Sequence, residues 1–332
     1  MLSLPQPNKA ILDEYYKIII KKINNQLDKQ DFVFLKNSIS EQVIKELILG
    51  DPEAILHKSN ALMNQIFNNF NQDEFESYLV IKTKKNRNLV EEQLYNKYSN
   101  EKYLIKAFNY DQFISKSKST GYHLALRLNR NTCTYCNRLY TLTVVKKPLK
   151  NNDDRIIRPQ FDHWYSKKKH PLLALSFFNL IPSCSVCNTQ IKLDSKFNLV
   201  THYHPYKDNF IDKFTFSYNQ KQIDEYEVKI NPISYDLHER GKINTTLEAF
   251  KIKEIYNAHS SLELKDLIDL KMKYQKDYLE KLFNGTFNGL YVSEKEMYRL
   301  VFGIENESDN YYKRPFSKFK KDIISELRKI DK

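Results

Sequence analysis

The feature that most constrains this chain is where its cysteines stand. All four fall in two CxxC pairs, Cys133 with Cys136 and Cys184 with Cys187. Each pair can hold a metal ion from a tight turn, and together they supply the four thiolates that structural zinc prefers. Two other readings stay open, since a redox CxxC needs only one pair and buried cysteines can also be unrelated. The matched pairs favour structural zinc (Zn²⁺).

A site closed by four thiolates has no open position for a water or a substrate, so any chemistry must lie elsewhere in the chain. Polar residues stand between the pairs and directly after them: Asp162 and His163 in FDHW, Asn179 in FFNL, and Asn188 after the last cysteine. Zinc would clamp this stretch at both ends. We therefore expect the polar side chains near Asp162 and Asn188 to converge.

The residues around the cysteines predict a small β-rich unit. LYTLTVV and RIIRPQFDHW have the composition of two strands, and the polar loop KKPLKNNDDR between them predicts an antiparallel pair. CNTQIKLDS is typical of a short helix, and the apolar run LLALSFF of a helix in the core. Two strands and a short helix bury little by themselves, so this unit must pack against its neighbours.

Helical patterns dominate the residues before this unit. Apolar side chains recur at helical spacing from residue 8 to about residue 128. In SISEQVIKELILGDP, Ser38 and Glu41 have the spacing of a capping box, and Gly50 and Pro52 are stop signals. We expect a mostly helical N-terminal region.

The residues after the unit predict a hairpin followed by helices. KFTFSYNQ and EYEVKINP alternate as paired strands do, and the segment from about residue 245 onward predicts one or two long amphipathic helices. A capping box at Ser293 and Glu296 opens a further helix that closes on Gly303.

Taken together, these patterns predict an α+β fold in three regions. Residues 1–128 form the helical N-terminal region, residues 129–205 the zinc-stapled core, and residues 206–332 the hairpin with the C-terminal helices. We find no apolar run long enough to span a membrane and no secretory leader in MLSLPQPNKAILDEYYKIIIKK, so we expect a cytoplasmic protein without a membrane partner.

The formal net charge of +12 favours a polyanionic partner, because a basic surface attracts phosphate groups. A composition rich in Lys, Asn, Ile and Tyr would raise the lysine count in any protein, so charge alone leaves a nucleic-acid partner open. The motifs must decide between these two readings.

The pattern CTYC, FDHW, FFNLIPSCSVCN and IK resembles the HNH nucleases of the ββα-metal (His-Me finger) class. The resemblance implies that His163 is the general base and Asp162 the metal-binding acid before it. It also implies that Asn179 holds the active-site loop and that Asn188 is a metal ligand on the helix. The family often has His at that last position, and the variant seen here is similar to the HNH domain of active CRISPR effector nucleases.

Elementary chemistry agrees with these roles. A neutral imidazole accepts a proton from water near pH 7, which suits His163. A hard cation such as Mg²⁺ or Mn²⁺ takes oxygen ligands, and a carboxylate (Asp162) and an amide carbonyl (Asn188) provide them. The cation would act as Lewis acid and stabilise the leaving oxygen of a phosphodiester.

Basic side chains lie close to this motif along the sequence. They could contact phosphates or simply face solvent, and they are Lys167, Lys168, Lys169, Lys192, Arg138 and Arg158. His202 and His204 in THYHPY have a spacing that can ligate metal. Four thiolates already fill a zinc site, so we predict a structural role for these two histidines.

Longer stretches, including HPYKDNFIDKFTF and KRPFSKFKKDI, are similar to bacterial HNH proteins encoded beside ATPases in phage-defence loci, as in Septu-type systems. This implies a DNA endonuclease that acts as a defence effector with an ATPase partner, and RNA stays open as a substrate. The chain has no GxxxxGK[ST] loop of its own. The alternative is a zinc-stabilised binding or docking subunit whose nuclease centre is inactive.

Overall fold

A computed structural model describes residues 2–146, 154–192, 196–273 and 293–329 of the chain. The residues before the first cysteine pair are helical, as predicted. The helices, linked by short turns, are α1 (Lys9–Leu27), α2 (Val33–Ser38), α3 (Glu41–Leu49), α4 (Pro52–Phe67), α5 (Gln72–Ile81), α6 (Leu89–Tyr98), α7 (Glu101–Ala107) and α8 (Lys118–Leu128).

The start of α3 differs from the predicted capping box. Ser40, not Ser38, is the N-cap, and its hydroxyl accepts a hydrogen bond from the Val43 N–H at 3.3 Å. Ser38 ends α2 instead and donates its hydroxyl to the carbonyl of Phe34 at 2.8 Å. The extended backbone of Ile39 separates the two helices, so the capping position shifts two residues toward the C-terminus.

Two short antiparallel ladders form the central unit. β1 (Val144–Val145) pairs with β2 (Arg155–Ile157), which confirms the predicted pair, although most of the joining loop lies outside the described residues. FDHW does not continue β2. It forms a separate strand, β3 (Gln160–His163), whose partner is β4 (Leu180–Ser183). The described part of the predicted helix at CNTQIKLDS is a π-helical turn over Val186–Ile191.

The apolar run LLALSFF is buried, as expected for core, but it is not an α-helix. It forms two 3-10 turns, Pro171–Leu173 and Phe177–Asn179. Two hydrogen bonds join the run to the N-terminal helices. Ser176 donates its hydroxyl to the carbonyl of Leu47 in α3, and Tyr15 in α1 donates its hydroxyl to the carbonyl of Leu175 at 2.8 Å. These bonds hold the run against α1 and α3 in an irregular conformation.

The predicted hairpin follows as β5 (Phe214–Gln222) and β6 (Glu225–Pro232). The long helices predicted after residue 245 are broken into α9 (Leu237–Ala249), α10 (Ile252–Asn257) and α11 (Lys265–Lys273), and residues 274–292 lie outside the description. The first break falls at Lys251, whose φ of 49° is left-handed and cannot continue a helix.

The next helix, α12 (Glu294–Phe302), confirms the predicted boundaries. Ser293 and Glu296 make the reciprocal bonds of a capping box, and Gly303 closes the helix with a left-handed φ of 68°. The final helix, α13 (Ser317–Lys329), packs on β5, where the Asp322 carboxylate accepts the N–H of Phe216 at 2.9 Å.

The buried apolar side chains join the helices of both flanks to the central unit. One cluster of them runs from Leu4 through Trp164 to Leu327. The fold is therefore a mixture of helices and small antiparallel sheets, while the three domain boundaries stay a prediction. Within the described ranges, no helix combines the length and the apolar character that crossing a membrane needs.

The position of the α3 cap can be tested with two matched substitutions. Ser40→Ala should lower the free energy of unfolding by about 1 kcal/mol, because it removes the acceptor for a helix-terminal N–H. Ser38→Ala should stay within about 0.5 kcal/mol of the parent, as for most surface changes. Urea unfolding followed by circular dichroism measures both, and the reverse ranking would place the cap at Ser38.

Candidate metal centre and adjoining cleft

The structure brings the four cysteines into one buried cluster. The ligand atoms of Cys133, Cys136, Cys184 and Cys187 all lie within 4.8 Å of one another. Each pair sits on a tight turn: the Cys133 carbonyl accepts the N–H of Asn137 at 2.9 Å, and the Cys184 sulfur accepts the N–H of Cys187 at 3.4 Å. This cluster could hold a structural metal ion such as zinc.

The four neighbouring thiols of the cluster shift one another's pKa values in opposite directions. Burial raises the pKa of the Cys133 thiol, whereas the hydrogen bond from Cys133 lowers the pKa of Cys136. Four sulfurs this close must share protons or a cation, and a divalent ion is the usual solution when all four are buried.

Asp162 and His163, the last two residues of strand β3, point to opposite sides of it, because successive residues of a strand alternate. His163 is 8% exposed and lines a cleft of about 580 Å³. Its Nε2 lies 2.9 Å from the carbonyl of Ala174. A carbonyl only accepts, so Nε2 carries the proton and Nδ1 keeps its lone pair.

The environment of His163 keeps the ring neutral. Burial lowers its pKa to about 4, and Tyr110 packs edge-to-face on the imidazole with ring centroids 4.4 Å apart. Tyr110 belongs to the N-terminal helical region and donates its hydroxyl to the carbonyl of Phe161 at 3.3 Å. A residue far from the motif in sequence thus fixes one side of the ring.

Asp162 faces away from the cleft wall that His163 lines. It is 5% exposed, and its Oδ2 accepts the hydroxyl of Tyr135 at 2.6 Å and pairs with the Lys192 ammonium at 2.8 Å. Lys192 also donates to the carbonyl of His163. No hydrogen bond to the second oxygen, Oδ1, is made by the described part of the chain.

Asn179 acts as a brace for the loop between β3 and β4. Its Oδ1 accepts the N–H of Tyr165 at 2.6 Å, and its Nδ2 donates to the carbonyls of Tyr165 and Leu173 at 3.0 and 2.9 Å. All of its bonds therefore go to the segment that carries Ala174, the partner of His163. The part that this brace would play in an active site stays a prediction.

Asn188 lies on the π-helical turn that carries Cys187 and shares the cleft with His163. Its Nδ2 donates to Oε1 of Gln160 at 2.8 Å. This bond assigns the amide orientation, so Oδ1 is the atom left to accept from or ligate another group.

Two of the predicted basic residues line the same cleft. Arg158 is held by the carbonyls of Pro159 and Ser115 at 2.8 and 3.0 Å. Lys167 pairs with Asp111 at 2.7 Å. Among the described residues that line the cleft there is no carboxylate, and its lining carries two cations, of which Lys167 is paired with Asp111.

The other predicted phosphate contacts lie elsewhere. Lys169 pairs with Glu76 at 3.2 Å, and Arg138 stands 3.4 Å from Nε2 of His259. Lys168 is exposed beside the cleft residue Lys167. The side chain of Lys192 is only 3% exposed and its ammonium pairs with Asp162, a position that disfavours the predicted phosphate contact.

His202 and His204 do not join the cysteine cluster. His202 packs on Phe197 and His204 on Trp164, with ring centroids 4.2 and 4.6 Å apart. Burial lowers their pKa values to about 4 and about 3, so both rings are neutral at pH 7. The predicted structural role matches this packing.

Sequence reasoning missed several residues that shape the site. Gln160, Tyr110 and Tyr135 all contact the predicted site residues, yet none carries a metal-ligand or acid-base signature. Gly121 on α8 was also missed: a Cβ there would stand 2.8 Å from Nε of Arg158. The position of Tyr135 inside the first CxxC pair is the one signal that could have singled it out.

Comparison with known proteins assigns the chain to no family. No family model, no curated protein and no solved structure matches the chain. The residues and their geometry therefore carry the functional argument.

The metal centre can be tested by replacing one thiolate. Cys187→Ser should lose bound zinc and much of the soluble protein together, because metal-binding free energy at such sites is folding free energy. Ser185→Ala, an exposed change in the same turn, should retain about one zinc ion per chain. Metal analysis of both purified proteins measures this, and a soluble, zinc-loaded Cys187→Ser protein would contradict a four-thiolate site.

Proposed function

We propose that this chain is a metal-dependent endonuclease of the HNH type, which hydrolyses phosphodiester bonds in DNA. The observation that carries the proposal is the cleft shared by His163 and Asn188, which lie on β3 and on the turn after the second cysteine pair. An imidazole with a defined tautomer, an amide oxygen and two cationic side chains line one cavity there. This combination fits a phosphodiester and an attacking water.

In this proposal His163 removes a proton from the attacking water. The bond from Nε2 to the Ala174 carbonyl leaves Nδ1 as the accepting atom. When the proton arrives at Nδ1, the ring becomes cationic, and the Ala174 carbonyl stabilises that charge at the opposite nitrogen. Asn179 holds the backbone at Leu173, the residue before Ala174, so the ring does not need to reorient during the step.

A hard cation completes the proposed site. Oδ1 of Asn188 is the cleft oxygen that would hold Mg²⁺ or Mn²⁺. Asp162 does not line the cleft, and its Oδ2 is bonded to Tyr135 and Lys192, so only its Oδ1 would be left as the second ligand. When bound, the cation would supply Lewis acidity at the phosphate and stabilise the leaving oxygen. Arg158 and Lys167 would orient the phosphate groups on either side.

The proposed substrate and biological role rest on the net charge of the chain and on its resemblance to HNH nucleases. The net charge of +12 and the two cations of the cleft lining favour a polyanion, and DNA is the expected substrate, with RNA as the alternative in the same assay. We further propose that the chain acts as an effector of anti-phage defence with an ATPase partner. An assay of the chain with and without that partner and ATP tests this part.

One observation favours a second candidate, a nucleic-acid-binding or docking subunit without nuclease activity. The pairing of Asp162 with Lys192 neutralises the carboxylate that precedes His163 on β3. If this pairing prevents cation binding, the cleft would bind a strand without cleaving it. Binding without Mg²⁺-dependent or Mn²⁺-dependent cleavage distinguishes this candidate.

His163→Ala tests the proposed nuclease. The substitution should reduce the rate of plasmid nicking by at least about 100-fold, because general base catalysis contributes that much or more. Zinc content and thermal unfolding should stay close to the parent values. The measurement is the conversion of supercoiled plasmid to open circle with Mg²⁺ or Mn²⁺.

His238→Ala serves as the matched control, because His238 lies exposed in the first turn of α9. It should nick at the parent rate. Parent activity in His163→Ala would remove the general-base assignment, whereas cleavage by neither the parent nor the control, with DNA or RNA, would favour the binding subunit.

A further inference from the structure

The ladder of β1 and β2 carries apolar side chains that the described part of the chain leaves uncovered. Ile156 and Ile157 are 57% and 54% exposed, and Val144, the partner of Ile157 across the ladder, is exposed as well. Successive residues of a strand face opposite sides, so both faces of this two-stranded ribbon are open. Single apolar residues are ordinary on a protein surface, whereas several on one ribbon indicate a contact surface.

The position of the ribbon next to the cleft indicates what this surface contacts. Ile156 and Ile157 line the cleft together with His163 and Asn188, and β2 leads directly into Arg158. The cleft therefore offers apolar surface beside a cation and beside the proposed proton acceptor. A site that contacted only the phosphates of a strand would use the cation and have no need of the isoleucines.

Arg158 is held in a fixed orientation and keeps its charge for a ligand. Its guanidinium donates to the carbonyls of Pro159 and Ser115 at 2.8 and 3.0 Å. No carboxylate pairs with Arg158 within the described ranges, whereas Lys167 is paired with Asp111. Arg158 is therefore the cation of the cleft lining that a phosphate can reach without displacing an acidic partner.

We infer that the cleft takes a nucleic-acid strand whose bases are unpaired, with Arg158 on a backbone phosphate and Ile156 and Ile157 against the neighbouring bases. The inference rests on the proposed function, in which the ligand is a nucleic acid, and it names the form of that ligand. In a duplex the bases stack on one another and the phosphates face outward. An unpaired strand exposes the faces of its bases, which pack on aromatic and apolar side chains.

The size of the cleft agrees with a single strand. Its volume of about 580 Å³ is within the range of about 300–1,000 Å³ that is typical of sites for small-molecule ligands. One nucleotide of an unpaired strand can enter such a cavity by itself, whereas a paired nucleotide brings its complement with it. DNA and RNA present the same unpaired bases, so both are tested.

The experiment compares probes that share a backbone and differ in their bases. A fluorescent single-stranded DNA oligonucleotide is measured beside its duplex and beside an abasic strand of the same length, which keeps the phosphates and lacks the bases. Fluorescence anisotropy without added Mg²⁺ or Mn²⁺ gives each Kd without turnover. We expect the single strand to bind at least about 10-fold more tightly than the duplex and the abasic strand. An RNA strand of the same sequence distinguishes the two sources of unpaired bases.

Replacing both isoleucines, Ile156→Ser together with Ile157→Ser, separates base contact from charge. The Kd for the single strand should rise about 10-fold, because covering two half-exposed isoleucine side chains contributes about this much. The Kd for the abasic strand should stay at its parent value. Both residues are exposed, so thermal unfolding should not change. Ile223→Ser, at a 92% exposed isoleucine between β5 and β6, is the matched control and should bind every probe as the parent does.

Arg158→Gln tests the phosphate contact. This variant should weaken binding of the single strand and of the abasic strand by similar factors, because the backbone is common to both. The slope of log Kd against log salt concentration should fall by about one, as expected for the loss of one phosphate contact.

Two results would overturn the inference. One is equal affinity of the parent for the single strand, the duplex and the abasic strand, a comparison that needs no variant. The other is a parent Kd for the single strand in the protein without the two isoleucines, which would make the ribbon a surface for a protein partner instead.

The outcome is separable from that of the proposed function. If the parent nicks plasmid with Mg²⁺ or Mn²⁺ and binds the three DNA probes equally, the nuclease stands and the inference fails. If binding depends on unpaired bases while the parent cleaves neither DNA nor RNA, the inference stands and the nuclease fails.

Discussion

A buried carboxylate ties the central unit of this protein together. The cost of removing Asp162 from water is offset by the Tyr135 hydroxyl and the Lys192 ammonium, at 2.6 and 2.8 Å from the same oxygen. Because these partners belong to different cysteine turns, the carboxylate links three segments that are distant in sequence. The two cysteine turns and strand β3 are therefore joined through one carboxylate, and the same strand carries His163 to the cleft.

The alternation of side chains along β3 gives the two sides of this strand different roles. Asp162 turns inward toward the cysteine turns, and His163 turns to the cleft, where its Nε2 meets the Ala174 carbonyl. One strand can therefore be anchored on one side and present a proton acceptor on the other. The arrangement gives adjacent residues of the FDHW motif different environments, although their spacing in sequence suggested a shared one.

The sequence predicted the parts of the site whose chemistry is visible in residue type. Paired cysteines predict a metal site, and the four cysteines do cluster. Asn179 braces the loop between β3 and β4, and Asn188 lines the cleft. Residue type could not predict long-range partners. Lysine side chains are mostly exposed in proteins. The burial of Lys192 is explained by its tertiary contact with Asp162. LLALSFF was misread as a helix because its irregular backbone depends on bonds to α1 and α3.

The helical N-terminal region takes part in the site as well as in the core. Tyr110, Ser115 and Tyr122 form one wall of the cleft, and the carbonyl of Ser115 holds Arg158 in place. The motif residues supply the opposite wall with His163 and Asn188. A central unit without its helices would keep the four thiols but would lose the ring that packs on His163 and one wall of the cleft. The central unit thus carries His163 and Asn188, while the second wall of the cleft comes from the flanking helices.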